Sequence, residues 1–110
     1  MTLITEHPDH ATLINVFTVE PGRAPELAEL LTAATEDVMQ HIDGFISANI
    51  HLSTDGTRVV NYAQWRSAEA FQAMLQNTTA QQHMARCAEL ASGYDPHLYT
   101  VESVHAAGGR

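Results

Sequence analysis

The stretch Ser53-Thr-Asp-Gly-Thr-Arg-Val-Val-Asn-Tyr-Ala-Gln-Trp65 decides how this chain is read. Asp55-Gly56 is a strong short-range hairpin signal, because a type I′ turn needs positive φ at both central residues and Asp-Gly tolerates it. With those residues as the turn, Leu52 sits opposite Val59, Ile50 opposite Asn61, Ala48 opposite Ala63 and Ile46 opposite Trp65. Side chains alternate along a strand, so this set shares one face of a sheet. Every member is apolar or aromatic in body except the carboxamide of Asn61. A buried amide without partners costs about 1–3 kcal/mol, and a bound ligand is one way to offset that.

Outward from the hairpin, the chain alternates strand and helix patterns. Residues 1–10 are polar, contain Pro8 and read as a loose lead-in. Ala11 to Glu20 is rich in β-branched residues and is stopped by Pro21-Gly22. Leu27, Leu30, Leu31, Ala34, Val38 and Ile42 recur at helical spacing, which predicts an amphipathic helix from Ala24 to Ile42, with Asp43-Gly44 as its exit. Strands follow near Ile46 to Thr54 and Thr57 to Arg66, and Ser67 is placed to cap a helix running to about Gln76. Thr79 and Gln82 match a capping box for a further helical piece ending near Ser92-Gly93. Pro96 to His105 reads as the last strand, and residues 106–110 as a frayed tail. A single domain over 11–105 results. Its order implies an α+β fold, a ferredoxin-like antiparallel sheet with helices on one face. The reverse face, with Asn49, His51, Val60, Tyr62 and Gln64, is too apolar for bare solvent and suits pairing with a second copy as a homodimer.

The 110 residues carry thirteen acids against five arginines and no lysine, a formal charge of −8. Nucleic acid and anionic membranes both require clustered cations, so neither is an expected partner. The lone Cys87 makes no intrachain disulfide, and with no apolar leader or spanning segment the cytoplasm is the expected compartment. No Gly-rich dinucleotide fingerprint or clustered His/Cys/Asp/Glu motif calls for a cofactor or metal. His7, Pro8, Asp9 and His10 have a metal-like look on an unpromising terminus. Met39, Met74 and Met84 read as core filler, and Cys87 as a buried thiol.

Asn15 in Leu-Ile-Asn-Val-Phe-Thr-Val, the turn Asp43-Gly44-Phe45 and the whole of Ser53 to Trp65 resemble the antibiotic biosynthesis monooxygenase family. The likeness runs from about Thr12 to Val104 and is greatest to the small cofactor-independent oxygenases that turn anthrones into quinones in aromatic polyketide pathways. It implies a dimeric α+β barrel whose cavity, between sheet and helices, is lined by Asn15, Asn61 and Trp65. Asn15 is in phase with Leu13 and Phe17, so the residue pattern puts it on the same inner face. Two carboxamides and an indole converging in an apolar pocket suit a flat aromatic ligand, with Asn61, Trp65 and Asn15 as catalytic candidates. Phe17 and Phe71 are expected at the substrate, although some relatives carry tyrosine where this chain has Phe71. Asp43 stands where many relatives have proline. Arg86 lies one position from a cavity arginine of the family. His51 matches a family histidine, yet alternation puts it on the opposite face unless a β-bulge turns it inward. Two other readings are a haem-degrading monooxygenase, which needs an axial histidine near Trp65 where the first available is His83, and a non-catalytic ligand-binding module.

Overall fold

The computed structural model describes residues 1–108. The elements run β1 (Ala11–Thr18), α1 (Ala24–Asp37), β2 (Phe45–Leu52), β3 (Arg58–Trp65), α2 (Ala68–Leu75), α3 (Thr78–Leu90) and β4 (Gly93–Tyr99). They form one open antiparallel sheet in the order β2-β3-β1-β4 with the helices on one face. This is the expected ferredoxin-like α+β arrangement. The last two residues of the expected frayed tail lie outside the described residues. Among the described residues no helix is long and apolar enough to cross a membrane.

The hairpin register holds for Leu52↔Val59, Ile50↔Asn61 and Ala48↔Ala63. The turn is not type I′. Only Gly56 has positive φ (75°), the Gly56 N–H donates to the Ser53 carbonyl, and the Ser53 N–H closes the loop on the Arg58 carbonyl. Both turns leave Ser53 facing Arg58, so the register survives the change. Asp55 organises the loop: its Oδ1 accepts from the Ser53 hydroxyl (2.7 Å), the Thr57 hydroxyl (2.7 Å) and the Thr57 N–H (3.0 Å). The Thr57 and Ser53 hydroxyls, with the Thr57 amide, hold its carboxyl down at about 2.

The expected pairing of Ile46 with Trp65 is corrected by an irregularity between Phe45 and Ser47. Phe45 pairs with Trp65, and Ile46 is extruded, 48% exposed. Phe45 meets the indole edge-on, centroids 5.4 Å apart at 87°. Such pairs stabilise by about 0.5–1.5 kcal/mol beyond burial, an arrangement Ile46 cannot offer.

Helix α1 stops at Asp37 rather than Ile42. Val38 leaves helical geometry (φ −129°, ψ −62°), and a 3-10 turn over Met39–His41 satisfies the carbonyls of Val38 and Met39. The cap of α3 is Asn77, whose side chain accepts from the Ala80 N–H at 2.9 Å, and not Thr79. Gly93 opens β4 instead of closing a helix. Pro96 sits within that strand, tolerated because β4 is an edge.

The lead-in is tied down rather than loose. The Leu3 carbonyl accepts from Gln64 Nε2 (2.8 Å), Thr2 donates to Asn49 Oδ1 (2.9 Å), and the His7 N–H donates to the Val101 carbonyl (2.9 Å). The segment thus covers part of the outer face, and Gln64 beneath it is 2% exposed.

At the entry to β2, the Arg66 guanidinium makes a two-pronged bond to Asp43 at 3.0 Å on each oxygen, while the Arg66 N–H donates to the Gly44 carbonyl at 2.7 Å. Gly44 has φ +92°, and a Cβ there would lie 2.5 Å from the Cβ of buried Ala70. Gly22 has a similar φ of +91° with open space around it. Gly44→Ala is expected to cost about 1–3 kcal/mol, and more than Gly22→Ala, which adds backbone strain alone. Urea melts of both variants check this. Equal losses would mean that the contact with Ala70 carries no weight.

Candidate active site

The inner face of the sheet holds two separate apolar clusters. One gathers Leu13, Ala63, Trp65, Phe71 and Met74; the other gathers Phe17, Val59, Leu27, Leu31 and Cys87. Between them, directly opposite one another on the adjacent strands β1 and β3, lie Asn15 and Asn61. Above this pair opens a cavity of about 660 Å³, roofed by α1, α2 and α3 and lined mainly by apolar side chains. Its size falls within the usual range for small-molecule sites.

Asn15 Oδ1 accepts from the Asp95 N–H of β4 at 3.1 Å. That bond decides which end of the carboxamide is committed to the sheet and leaves its NH2 as the group free to donate. Asn61 is different. Its Oδ1 is buried and has no hydrogen-bond partner within the protein. An unsatisfied buried acceptor costs on the order of 1–3 kcal/mol, and the residue that carries it lines the floor of the cavity. Buried amides kept under such conditions call for an explanation beyond packing.

Trp65 is 2% exposed and forms the aromatic wall, with Phe45 on one side and Phe71 edge-on at 6.4 Å. Phe17 lines the opposite end beside Tyr94, centroids 6.2 Å apart. Asn61, Trp65, Asn15, Phe71 and Phe17 are therefore brought together as the sequence suggested. His51 is not. It is exposed on the other face, its Nδ1 3.2 Å from the Asn49 carbonyl, because the sheet irregularity falls at Phe45/Ser47 and leaves alternation at His51 intact. Arg86 is also outside the cavity, exposed on α3 with Nη2 3.4 Å from His83 Nδ1. His83 is engaged there too and does not line the cavity, so the haem reading lacks its axial ligand at that position.

Sequence reasoning missed the wall supplied by β4. Tyr94, Pro96 and Leu98 pair with Phe17, Asn15 and Leu13 and share their face. The alternation in Tyr-Asp-Pro-His-Leu-Tyr was the available signal, hidden by treating Pro96 as a strand start. Met39, Met74 and Met84 line the cavity as well as fill the core. Cys87 is buried at the cavity, and that burial pushes its thiol up, partly offset by the Arg86 charge.

A sequence profile described as antibiotic biosynthesis monooxygenase matches residues 11–86. Over 108 residues the chain is 46% identical to tetracenomycin-F1 monooxygenase of Streptomyces glaucescens, covering 98% of this chain and 94% of that protein. Among solved structures it is similar to the monooxygenase of the ActVA-Orf6 gene of Streptomyces coelicolor, in complex with nanaomycin D (TM-score 0.77, 28% identity, 90% of this chain and 93% of that one). It is also similar to SnoaB, a cofactor-independent oxygenase of Streptomyces nogalater (TM-score 0.75, 26% identity, 88% and 97%).

Trp65 is the sole tryptophan, so its fluorescence reports the cavity. Anthraquinone-2-sulfonate is expected to quench it saturably, with affinity reduced several-fold in Phe71→Ala and unchanged in His51→Ala and Arg86→Ala. Titration of the four proteins checks the placement of all three side chains.

Proposed function

The chain belongs to the antibiotic biosynthesis monooxygenase family, and from that premise we propose that it is a cofactor-independent monooxygenase oxidising an anthrone- or hydroquinone-type aromatic polyketide to a quinone with dioxygen. The observation that carries the reading is the Asn15–Asn61 pair, set opposite each other in the floor of an otherwise apolar cavity walled by Trp65.

The chemistry suits such a site. An anthrone has an acidic C–H whose anion is delocalised into the adjacent ketone. The anion passes one electron to dioxygen, and the substrate radical and superoxide combine to form a C–O bond. The peroxide then loses water: its O–O bond breaks, the remaining C–H proton leaves, and the carbon becomes a carbonyl. One oxygen atom enters the quinone and the other leaves as water, with the substrate supplying all four electrons that reduce dioxygen. The protein's part is to favour the anion, hold oxygen beside one carbon and exclude bulk water. The Asn15 NH2, oriented by Asp95, donates to developing negative charge, and the NH2 of Asn61 in the same floor does likewise. Trp65 and Phe71 hold the flat ring system.

Asn61→Ala is expected to lower oxygen uptake with an anthrone by roughly 10²–10³, or about 2.7–4 kcal/mol of barrier, after subtracting the enzyme-free rate. Because Asn61 Oδ1 has no partner within the protein, the same variant should keep or raise its melting temperature. A purely structural Asn61 would give the reverse pattern. Chelator-treated protein serves for the assay, since the reaction as written balances without flavin, haem or metal.

The protein is further proposed to act as a homodimer through the outer face around Asn49, His51, Val60 and Tyr62, with Gln64 beneath the lead-in at its border. Ile46, Leu3 and Ile4, exposed on or beside that face, support an apolar contact. Light scattering across a dilution series is expected to give about twice the 12.0 kDa chain mass. A monomer at micromolar concentration would remove the dimer from the reading.

A further inference from the structure

The three helices do not cover β4. It is the edge strand, and its inner-face residues are open to solvent while they also line the cavity: Tyr94 is 59% exposed and Leu98 37%, with Pro96 exposed between them. Their register partners Phe17 and Leu13 are each 6% exposed. The inner face therefore grades, within one strand spacing, from closed core to an exposed apolar strip continuous with the cavity. The site is thus open along β4.

The cavity's size bears on what reaches that opening. A protein cavity of about 150 Å³ accommodates one benzene. The cavity here, about 660 Å³, is several times larger and has room for a polycyclic ligand. Tyr94 and Leu98 are four residues apart on one face of the strand, a span of roughly 13 Å, so a long planar ligand lies along the strip rather than across it. Asn15 pairs with Pro96 at the midpoint of that span, so a ligand engaged by the carboxamides at one ring presents a remote ring to Tyr94 or Leu98.

Resting on the reading of the site as a quinone-forming oxygenase, we propose that the β4 strip Tyr94–Pro96–Leu98 is the specificity element for ring number. It holds the end ring of a polycyclic substrate remote from the carboxamides, and so favours ligands of about four fused rings over those of two. The phenol ring of Tyr94, backed by Phe17 at 6.2 Å, supplies the stacking surface, and its hydroxyl is not needed for this.

The test is a series of hydroxyquinones with two, three and four fused rings, titrated against Trp65 fluorescence in wild type, Tyr94→Ala, Tyr94→Phe and Leu98→Ala. The substituted side chains are exposed, and melting temperatures verify folding. In wild type the affinity is expected to rise with ring number. Tyr94→Ala and Leu98→Ala should weaken the four-ring ligand roughly three- to tenfold and leave the two-ring ligand unchanged, while Tyr94→Phe keeps the wild-type trend. An equal loss for every ring number, or none, overturns the strip's role and leaves the proposed reaction standing. A drop in molecular mass by light scattering in Tyr94→Ala, with uniform loss of affinity, overturns it by assigning the strip to contact between copies. Failure of any quinone to bind wild type overturns the proposed function and this inference with it.

Discussion

The antiparallel register of β1 against β3 is the constraint on which the rest of the molecule depends. It sets Leu13 against Ala63, Asn15 against Asn61 and Phe17 against Val59. Since side chains alternate with a period of two, a slip of one residue would turn one strand over relative to the other, keeping one carboxamide inside and sending its partner outward. The two central strands thus create the core and divide it with the same pairing. The apolar clusters lie on either side of the amide pair, and the cavity opens where neither reaches. Both flanking strands depend on this frame, β2 along β3 and β4 along β1, with the Asn15–Asp95 bond adding a side-chain link to the edge.

Much of this was legible because it follows from period and parity. The Asp55-Gly56 signal located the loop, and parity carried the register outward as far as Ala48 even though the turn adopted a different backbone. Period-two alternation placed Asn15, Asn61, Trp65 and Phe17 on one face. What escaped had other physical origins. The irregularity at Phe45/Ser47 accompanies aromatic packing between residues twenty apart, which no local pattern contains. Asn77 and Thr79 are both competent caps, and the choice between them depends on where α2 ends. Pro96 is compatible with a strand only if that strand is an edge, and the order β2-β3-β1-β4 is a tertiary fact. His51 matches a family histidine by position and Arg86 stands one position from a family arginine, but alternation at one and helix phase at the other turn them away from the cavity.

The distribution of charge is consistent with a site that works by excluding water. The Asp43–Arg66 ion pair lies at the β2 entry and the Asp55 carboxylate is held within its loop, both at the periphery, while Asp95 Oδ1 hydrogen-bonds His97 along the exposed edge strand. The Arg66 guanidinium hydrogen-bonded to Asp43 holds that carboxyl below its ordinary range, which fixes the turn without placing charge near the amide pair. The interior retains polarity in the form of neutral dipoles, which a low-dielectric site can orient without the large desolvation penalty of an ion.

Cys87 acquires a further significance from where it is buried. Under the proposed reaction the product is a quinone, an electrophile that adds thiolates, and a thiolate facing it would be alkylated. Burial among Phe17, Val59 and Leu27 pushes the thiol toward its protonated form, the less nucleophilic one. On that reading, the packing that closes one end of the cavity also passivates the only sulfhydryl in the chain, and the lifetime of such a catalyst under turnover is set in part by its core.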